Sequence, residues 1–126
     1  MPLRRTVLLV EDESQCISTM EVAFDRDTEP RLAHTSTAEE ALHILDTIEI
    51  AAVITDIHLP SMDGFELIAR LRKQPRFARL PILVTSGDPD PASPERALSL
   101  GANAYFTKPY SPGAVRRKVK ELIYAP

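Results

Sequence analysis

The sequence of 126 residues has only one cysteine, Cys16, and no long hydrophobic segment. A single cysteine cannot form an internal disulfide, and without a CxxC neighbour it does not build a structural zinc site. The longest uninterrupted apolar run, Ile50 to Ile54, has five residues, which is too short for a membrane-spanning helix. The N-terminal apolar run, Val7 to Val10, stops at Glu11 and is not the core of a secretory signal peptide. We therefore expect a cytosolic protein that neither inserts into membranes nor uses cysteine redox chemistry.

Each half of the chain is poor in charge of one sign, although the net charge is only −3. Residues 1–66 contain 4 Lys and Arg against 14 Asp and Glu, whereas residues 67–126 contain 11 against 4. An acidic half suits a cation site and a basic half suits an anionic partner, but solvated helix faces would give the same counts. No nucleic-acid-binding motif accompanies the basic residues, so we expect no direct binding to DNA or RNA.

Five short apolar segments alternate with five segments of helical periodicity. The strand candidates are Thr6–Val10, Arg31–Thr35, Ala51–Thr55, Leu80–Thr85 and Ala104–Thr107. The alternation predicts an α/β fold, a doubly wound and mainly parallel five-stranded sheet with helices on both faces. The three prolines between Asp88 and Pro94 predict a loop and a short fourth helix, which would begin with Ser93 as its N-cap. We expect Met20, Phe24 and Phe65 in the core and Cys16 as a small buried hydrophobe.

Polar side chains follow the predicted strands at the points where they end. Glu11 and Asp12 follow the first strand, Asp56 follows the third, Thr85 ends the fourth and Lys108 follows the fifth. Ligands of such sheets bind at the carboxyl ends of the strands, so these residues should meet at one edge. Three crowded carboxylates repel one another, and a hard divalent cation relieves that repulsion. The oxygen donors favour Mg²⁺, with Mn²⁺ as the substitute, and the absence of a Cys/His cluster argues against zinc.

The same residues are suited to phosphoryl transfer. This reaction needs in-line positioning and neutralisation of the phosphoryl oxygens, which the metal ion, Lys108 and the Thr85 hydroxyl would supply. Asp56 stands at a strand end, so we expect its carboxylate to act as the nucleophile and become an acyl phosphate. Asp12 and Glu11 would then hold the metal ion.

Four motifs in this order resemble the receiver domain of bacterial two-component response regulators. They are Val10–Glu13, Thr55–Gly64, Leu83–Gly87 and Lys108–Pro109. The resemblance extends from about residue 4 to about residue 123, so residues 1–126 are expected to form a single receiver domain. It implies a flavodoxin-like (βα)5 fold with strand order 2-1-3-4-5. It also implies that a sensor histidine kinase or a phosphotransfer protein phosphorylates Asp56, and that the protein catalyses only its own phosphorylation and dephosphorylation.

The resemblance also implies individual roles. The metal ligands would be the side chains of Asp12 and Asp56 and the backbone carbonyl of His58, with Glu11 acting through water. Lys108 would pair with the phosphate and have a cis bond to its proline. Thr85 would move toward the phosphate while Tyr105 turns inward, which changes an output surface. That surface would serve a downstream protein, a fused effector domain, or a phosphorylation-dependent homodimer formed through the fourth helix, fifth strand and fifth helix.

Two other readings compete with a phosphorylated receiver. A phosphatase of the haloacid-dehalogenase type also uses an aspartate, a hydroxyl, a lysine and Mg²⁺, but it needs a second aspartate where this chain has His58. A degenerate receiver would only bind partners, and the retention of the acids, Thr85 and Lys108 argues against that reading. His58 and Gly87 flank the phosphorylation site. Gly87 has no group that could orient a water molecule, which predicts slow hydrolysis, whereas His58 is either a tuning residue or an ordinary loop residue.

Overall fold

The computed structural model describes residues 5–25 and 29–124, in which five strands alternate with five α-helices. The strands are β1 Thr6–Val10, β2 Arg31–Thr35, β3 Ala52–Thr55, β4 Ile82–Ser86 and β5 Ala104–Thr107. The helices are α1 Ser14–Asp25, α2 Ala38–Thr47, α3 Gly64–Arg72, α4 Ser93–Leu100 and α5 Pro112–Ile123, and a 3₁₀ turn, Pro75–Phe77, follows α3. None of the described helices is both long and apolar enough to cross a bilayer.

The strands form one parallel sheet in the order β2-β1-β3-β4-β5. This order confirms the flavodoxin-like (βα)5 prediction. Because all five strands run in the same direction, their carboxyl ends share one edge of the sheet.

The core lies on both faces of the sheet. Along β1, Leu8 and Val10 belong to the apolar cluster that also contains residues of α2, α3 and α4, whereas Val7 and Leu9 belong to the cluster with residues of α1 and α5. Successive side chains of a strand point to opposite faces, so a continuous apolar run is what a sheet covered on both sides requires. The predicted core residues Met20, Phe24 and Phe65 are buried.

Two local predictions are wrong. Cys16 is only partly buried, because the start of α1 borders an open cleft of about 430 Å³ that also contains Lys108 and Tyr110. Ser93 is the first residue of α4 and not its N-cap, a position held by Ala92 without a side-chain hydrogen bond. The Ser93 hydroxyl instead donates to Asp88 Oδ2 at 2.8 Å. The fourth helix is short, as the prolines predicted, with eight residues.

Arg72, the last residue of α3, fastens the helix to three neighbouring segments. Its guanidinium donates to the carbonyl of Gly101 at 2.7 Å, to the carbonyl of Phe77 at 2.7 Å and to the Asn103 side chain at 3.1 Å. Asn103 Oδ1 also accepts the N–H of Ile82 at 2.8 Å. Burial lowers the pKa of the guanidinium, yet its donors remain satisfied. One side chain therefore joins α3 to the 3₁₀ turn, to the end of α4 and, through Asn103, to the start of β4.

We expect the substitution Arg72→Ala to lower the free energy of unfolding by about 2–3 kcal/mol, because several partly buried acceptors lose a charged donor. Urea denaturation followed by circular dichroism measures this change. Arg70→Ala is the matched control, since Arg70 is about half exposed and its ion pair with Glu66 lies on the surface of the same helix. Its cost should stay below about 0.5 kcal/mol. Equal effects of the two substitutions would contradict the proposed role of Arg72.

Candidate functional site

The acids of β1 and β3 meet at the carboxyl edge of the sheet. Glu11 and Asp12 follow β1 directly, and Asp56 follows β3, the neighbouring strand. Each of the three offers a carboxylate oxygen, and these oxygens lie within 4.8 Å of one another. Glu11 and Asp56 are buried, while Asp12 is exposed, so the cluster opens to solvent on one side.

Asp56 is the central group of the cluster and is held at both oxygens. Its Oδ1 accepts the backbone N–H groups of Ile57 at 2.6 Å and His58 at 3.4 Å. Its Oδ2 accepts the ammonium of Lys108 at 3.0 Å. Only 6% of the residue is exposed. The carboxylate is thus fixed by the loop that follows β3 on one side and by the lysine that follows β5 on the other.

Lys108 joins two of the acids from across the sheet. Its Nζ lies 3.0 Å from Asp56 Oδ2 and 3.1 Å from Glu11 Oε1. Burial alone would lower the pKa of Lys108, but the hydrogen bonds and negative charges of Asp56 and Glu11 outweigh that effect and raise it above the ordinary lysine value. The ammonium therefore stays protonated. The bond from Lys108 to Pro109 is cis, as predicted.

The charge of the cluster fits a divalent cation. Three carboxylates face one ammonium, which leaves an excess of two negative charges when all are ionised. Burial raises the pKa of Glu11, and the charge of Asp56 raises it further, although Lys108 opposes both effects. Oxygen donors with a side open to water are the environment that Mg²⁺ prefers, because this ion keeps several waters. The residues present therefore fit the predicted metal ion.

Two buried hydroxyls on β4 and β5 have no hydrogen-bond partner within the described ranges. Thr85, on β4, is fully buried, and its Oγ1 has no partner. The hydroxyl of Tyr105, on β5, is also buried without a partner, and its side chain packs inward against the core on the α3 and α4 side. A buried hydroxyl without a partner is costly, so each would be stabilised by a polar group that comes within its reach.

His58 points away from the acids toward the loop before α4. Its Nε2 lies 3.4 Å from Asp88 Oδ2, and its side chain is 67% exposed. The Asp88 carboxylate also accepts the N–H of Asp90 and the hydroxyl of Ser93, and these contacts lower its pKa. Sequence reasoning missed Asp88, although aspartates that precede prolines in a loop are typical turn formers. The slow hydrolysis expected from Gly87 stays a prediction.

Gly64 is a second residue that sequence reasoning did not single out. It begins α3 and donates its N–H to the carbonyl of Ile57 at 2.8 Å. A Cβ at this position would stand 2.2 Å from the backbone oxygen of Asp56 and 2.9 Å from the Cα of Ile57. Only glycine therefore allows α3 to start so close to Asp56. The signal in the sequence is a glycine directly after Asp63, the N-cap of the helix.

The response regulator receiver domain model matches residues 7–120 of this chain. The chain belongs to this family. Membership makes it a receiver of the two-component type, a phosphorylation-activated signalling domain, and it decides against the haloacid-dehalogenase reading.

The proteins to which this chain is similar include longer proteins and proteins of about its own length. The receiver is 30% identical over 121 residues to the alkaline phosphatase synthesis transcriptional regulatory protein PhoP of Bacillus subtilis, covering 96% of this chain and 49% of PhoP. It is 31% identical over 122 residues to a chemotaxis protein CheY homolog of Campylobacter jejuni, covering 92% and 91%. The crystal structure of the signal receiver domain of a histidine kinase from Syntrophus aciditrophicus superimposes with a TM-score of 0.86, at 27% identity, covering 95% and 90%. The chain thus spans about half of PhoP but most of the CheY homolog.

We expect Gly64→Ala to lower the free energy of unfolding by about 1–3 kcal/mol, because the added methyl group must displace backbone atoms. It should also slow phosphorylation, since the atoms displaced belong to Asp56 and Ile57. Thermal unfolding and labelling by acetyl phosphate measure the two effects.

Gly87→Ala is the matched control for this substitution. The nearest atoms to its new Cβ are side-chain carbons of Lys108 at 3.8 Å, an ordinary contact distance. Its unfolding midpoint should not fall. A Gly64→Ala protein as stable as the wild type would show that the close approach can relax without cost.

Proposed function

We propose that Asp56 accepts a phosphoryl group from the phosphohistidine of a sensor kinase or a phosphotransfer protein. The observation that carries this proposal is the position of its Oδ2, 3.0 Å from the ammonium of Lys108. The buried, unpartnered hydroxyl of Thr85 gives independent support. The pairing of Thr55 with Val84 makes Asp56 and Thr85 the next pair along β3 and β4. An anion added to Asp56 would meet a cation and a hydroxyl donor that lacks a partner.

Glu11, Asp12 and Asp56 would hold a Mg²⁺ ion, or Mn²⁺ in its place, with the backbone carbonyl of His58 as a further ligand and Glu11 acting through water. When bound, the ion neutralises part of the negative charge on the transferring phosphoryl group. The fit of three carboxylate oxygens within 4.8 Å of one another supports this ligand set.

The protein residues supply positioning and charge. A carboxylate oxygen of Asp56 forms a bond to phosphorus as the bond from phosphorus to the histidine nitrogen breaks, and the product is an acyl phosphate on Asp56. The backbone N–H groups of Ile57 and His58 orient the carboxylate. Lys108, which stays protonated, balances the charge that arrives. The reactions that the domain catalyses are its own phosphorylation and dephosphorylation.

Phosphorylation would then change the structure beyond the site through Thr85 and Tyr105, which carry the two buried hydroxyls. A phosphoryl oxygen would give Thr85 the partner that it lacks, which draws the end of β4 toward Asp56. Tyr105 stands on the adjacent strand, paired with Val84, so a shift of β4 changes its packing. The inward position of Tyr105 would be favoured in the phosphorylated state. This couples one added group to the surface formed by α4, β5 and α5.

The partners follow from the same proposal. We place residues 1–126 in the cytosol as a single receiver domain that is loaded by its kinase. Its output surface would engage a downstream protein, a fused effector domain, or a second copy of the chain. Leu98 supports this surface, because it is a large apolar residue on α4 that is 49% exposed.

We expect acetyl phosphate with Mg²⁺ to add one phosphoryl group to the wild-type protein and none to Asp56→Asn, because the amide is not a nucleophile. Intact-mass spectrometry measures the addition. EDTA should abolish labelling of the wild type, since the acids alone would repel the phosphate. Lys108→Met should slow labelling strongly, by about tenfold or more, through loss of the only ammonium that contacts Asp56 among the described residues.

Asp90→Asn is the control for the loss of a nearby aspartate, because Asp90 is exposed in the loop before α4. It should label as the wild type does. An unlabelled wild type, or undiminished labelling of Asp56→Asn, would overturn the proposal and favour a receiver that acts only by binding partners.

We also expect beryllofluoride with Mg²⁺, a mimic of the phosphorylated state, to convert the protein into a dimer. Light scattering measures the change in mass. Leu98→Glu should prevent dimerisation, because it places a charge in the middle of the proposed interface. Val22→Glu, at another exposed apolar residue that lies on α1, is the control. A protein that remains monomeric with beryllofluoride bound would contradict the homodimer.

A further inference from the structure

The backbone carbonyl of Glu11 lies just past the end of β1, where β2 no longer provides a backbone N–H group for it to accept. In this ladder the N–H of Arg31 donates to the carbonyl of Arg5, and the N–H of Glu11 donates to the carbonyl of Thr35. Donors of a parallel strand recur at every second residue, so the next one for the Glu11 carbonyl would be the N–H of Thr37. Thr37 has already left the sheet, however, and is the N-cap of α2.

The side chain of His34 occupies the position of the missing donor. Its Nε2 lies 2.9 Å from the Glu11 carbonyl oxygen. A carbonyl oxygen only accepts, so Nε2 carries the hydrogen. Glu11 is 1% exposed, and without His34 its carbonyl would have no donor among the residues that the structure describes. Two consecutive residues of β2 therefore hold both backbone groups of Glu11: Thr35 through its carbonyl and His34 through its ring.

This clamp acts on the residue from which the acidic cluster begins. The Glu11 carboxylate contacts Lys108 on one oxygen and the N–H of Glu13 on the other. Asp12 is the next residue, and no side-chain hydrogen bond of Asp12 appears in the described ranges. The position of the Glu11 backbone therefore affects the positions of two of the three carboxylates in the cluster, those of Glu11 and Asp12.

We propose that His34 is a positioning residue for the metal site, which holds the Glu11 backbone so that the carboxylates of Glu11 and Asp12 are directed at the cation. The inference rests on the proposed function of these acids. His34 does not touch the cation or the phosphoryl group. Its contribution is to reduce the freedom of the turn between β1 and α1, so that less ordering is needed when the ion binds.

The test is direct binding of Mn²⁺ to the full chain, followed by the electron paramagnetic resonance signal of the free ion. His34→Ala removes the donor, and His34→Asn is a polar variant whose amide is too short to reach Glu11. Both should weaken Mn²⁺ binding about three- to tenfold, the range of one lost hydrogen bond. His34→Gln places an amide near the position of Nε2 and should bind within about twofold of the wild type.

His43→Ala is the matched control, because His43 is an exposed histidine on α2 and should bind Mn²⁺ as the wild type does. Thermal unfolding in EDTA reports the stability of each variant without metal. Unchanged Mn²⁺ affinity in His34→Ala and His34→Asn would overturn the role of His34 while leaving the metal site intact. Equal weakening in His34→Gln would also overturn it, since the donor is then irrelevant. A wild type that binds no Mn²⁺ would overturn the proposed function itself.

Discussion

Mutual repulsion of acids at one edge of the sheet is the constraint on which the site depends. Glu11 and Asp56 are both buried and lie close together, so water screens their charges poorly, whereas Asp12 beside them is exposed. Lys108 compensates one charge by contacting both buried acids at about 3 Å. The remaining excess of negative charge suits the site to a cation, which is the basis of the proposed phosphoryl chemistry. The parallel sheet makes the arrangement rigid, because each acid follows a strand whose neighbours hold it in register.

A change of charge at this edge of the sheet can alter the surface of the domain, because residues close to the site also pack in the core. Thr85 and Tyr105 stand on neighbouring strands, and each has a buried hydroxyl with no partner among the described residues. Close-packed interiors transmit small displacements, since neighbouring side chains cannot absorb them without repacking. Asp88 adds a polar connection between the loop after Asp56 and the first residue of α4. The start of α4 thus borders the site on one side and the proposed output surface on the other.

The fold and the acidic cluster could be predicted from the sequence because they follow from strand direction. Apolar runs that end in acids, a threonine and a lysine must bring these residues together once all the strands are parallel. Contacts that depend on the path of the backbone could not be predicted in this way. Glycine is needed at position 64 because a Cβ there would collide with the backbone oxygen of Asp56, and the Ser93 hydroxyl donates to Asp88 instead of capping α4. No periodicity in the sequence encodes these distances.

The basic residues of the second half of the chain have two different structural roles. Lys108 is the basic residue that faces the acids of the first half, and it meets them because β5 and β3 end at the same edge. Several other cations of the second half engage local groups instead. Arg72 holds carbonyls of the α4 end, Arg76 pairs with Asp46, and Arg96 lies over the ring of Phe65 at 4.0 Å. Lys108 contacts the acids of the site, while these arginines stabilise the α3 and α4 side of the sheet, against which Tyr105 packs.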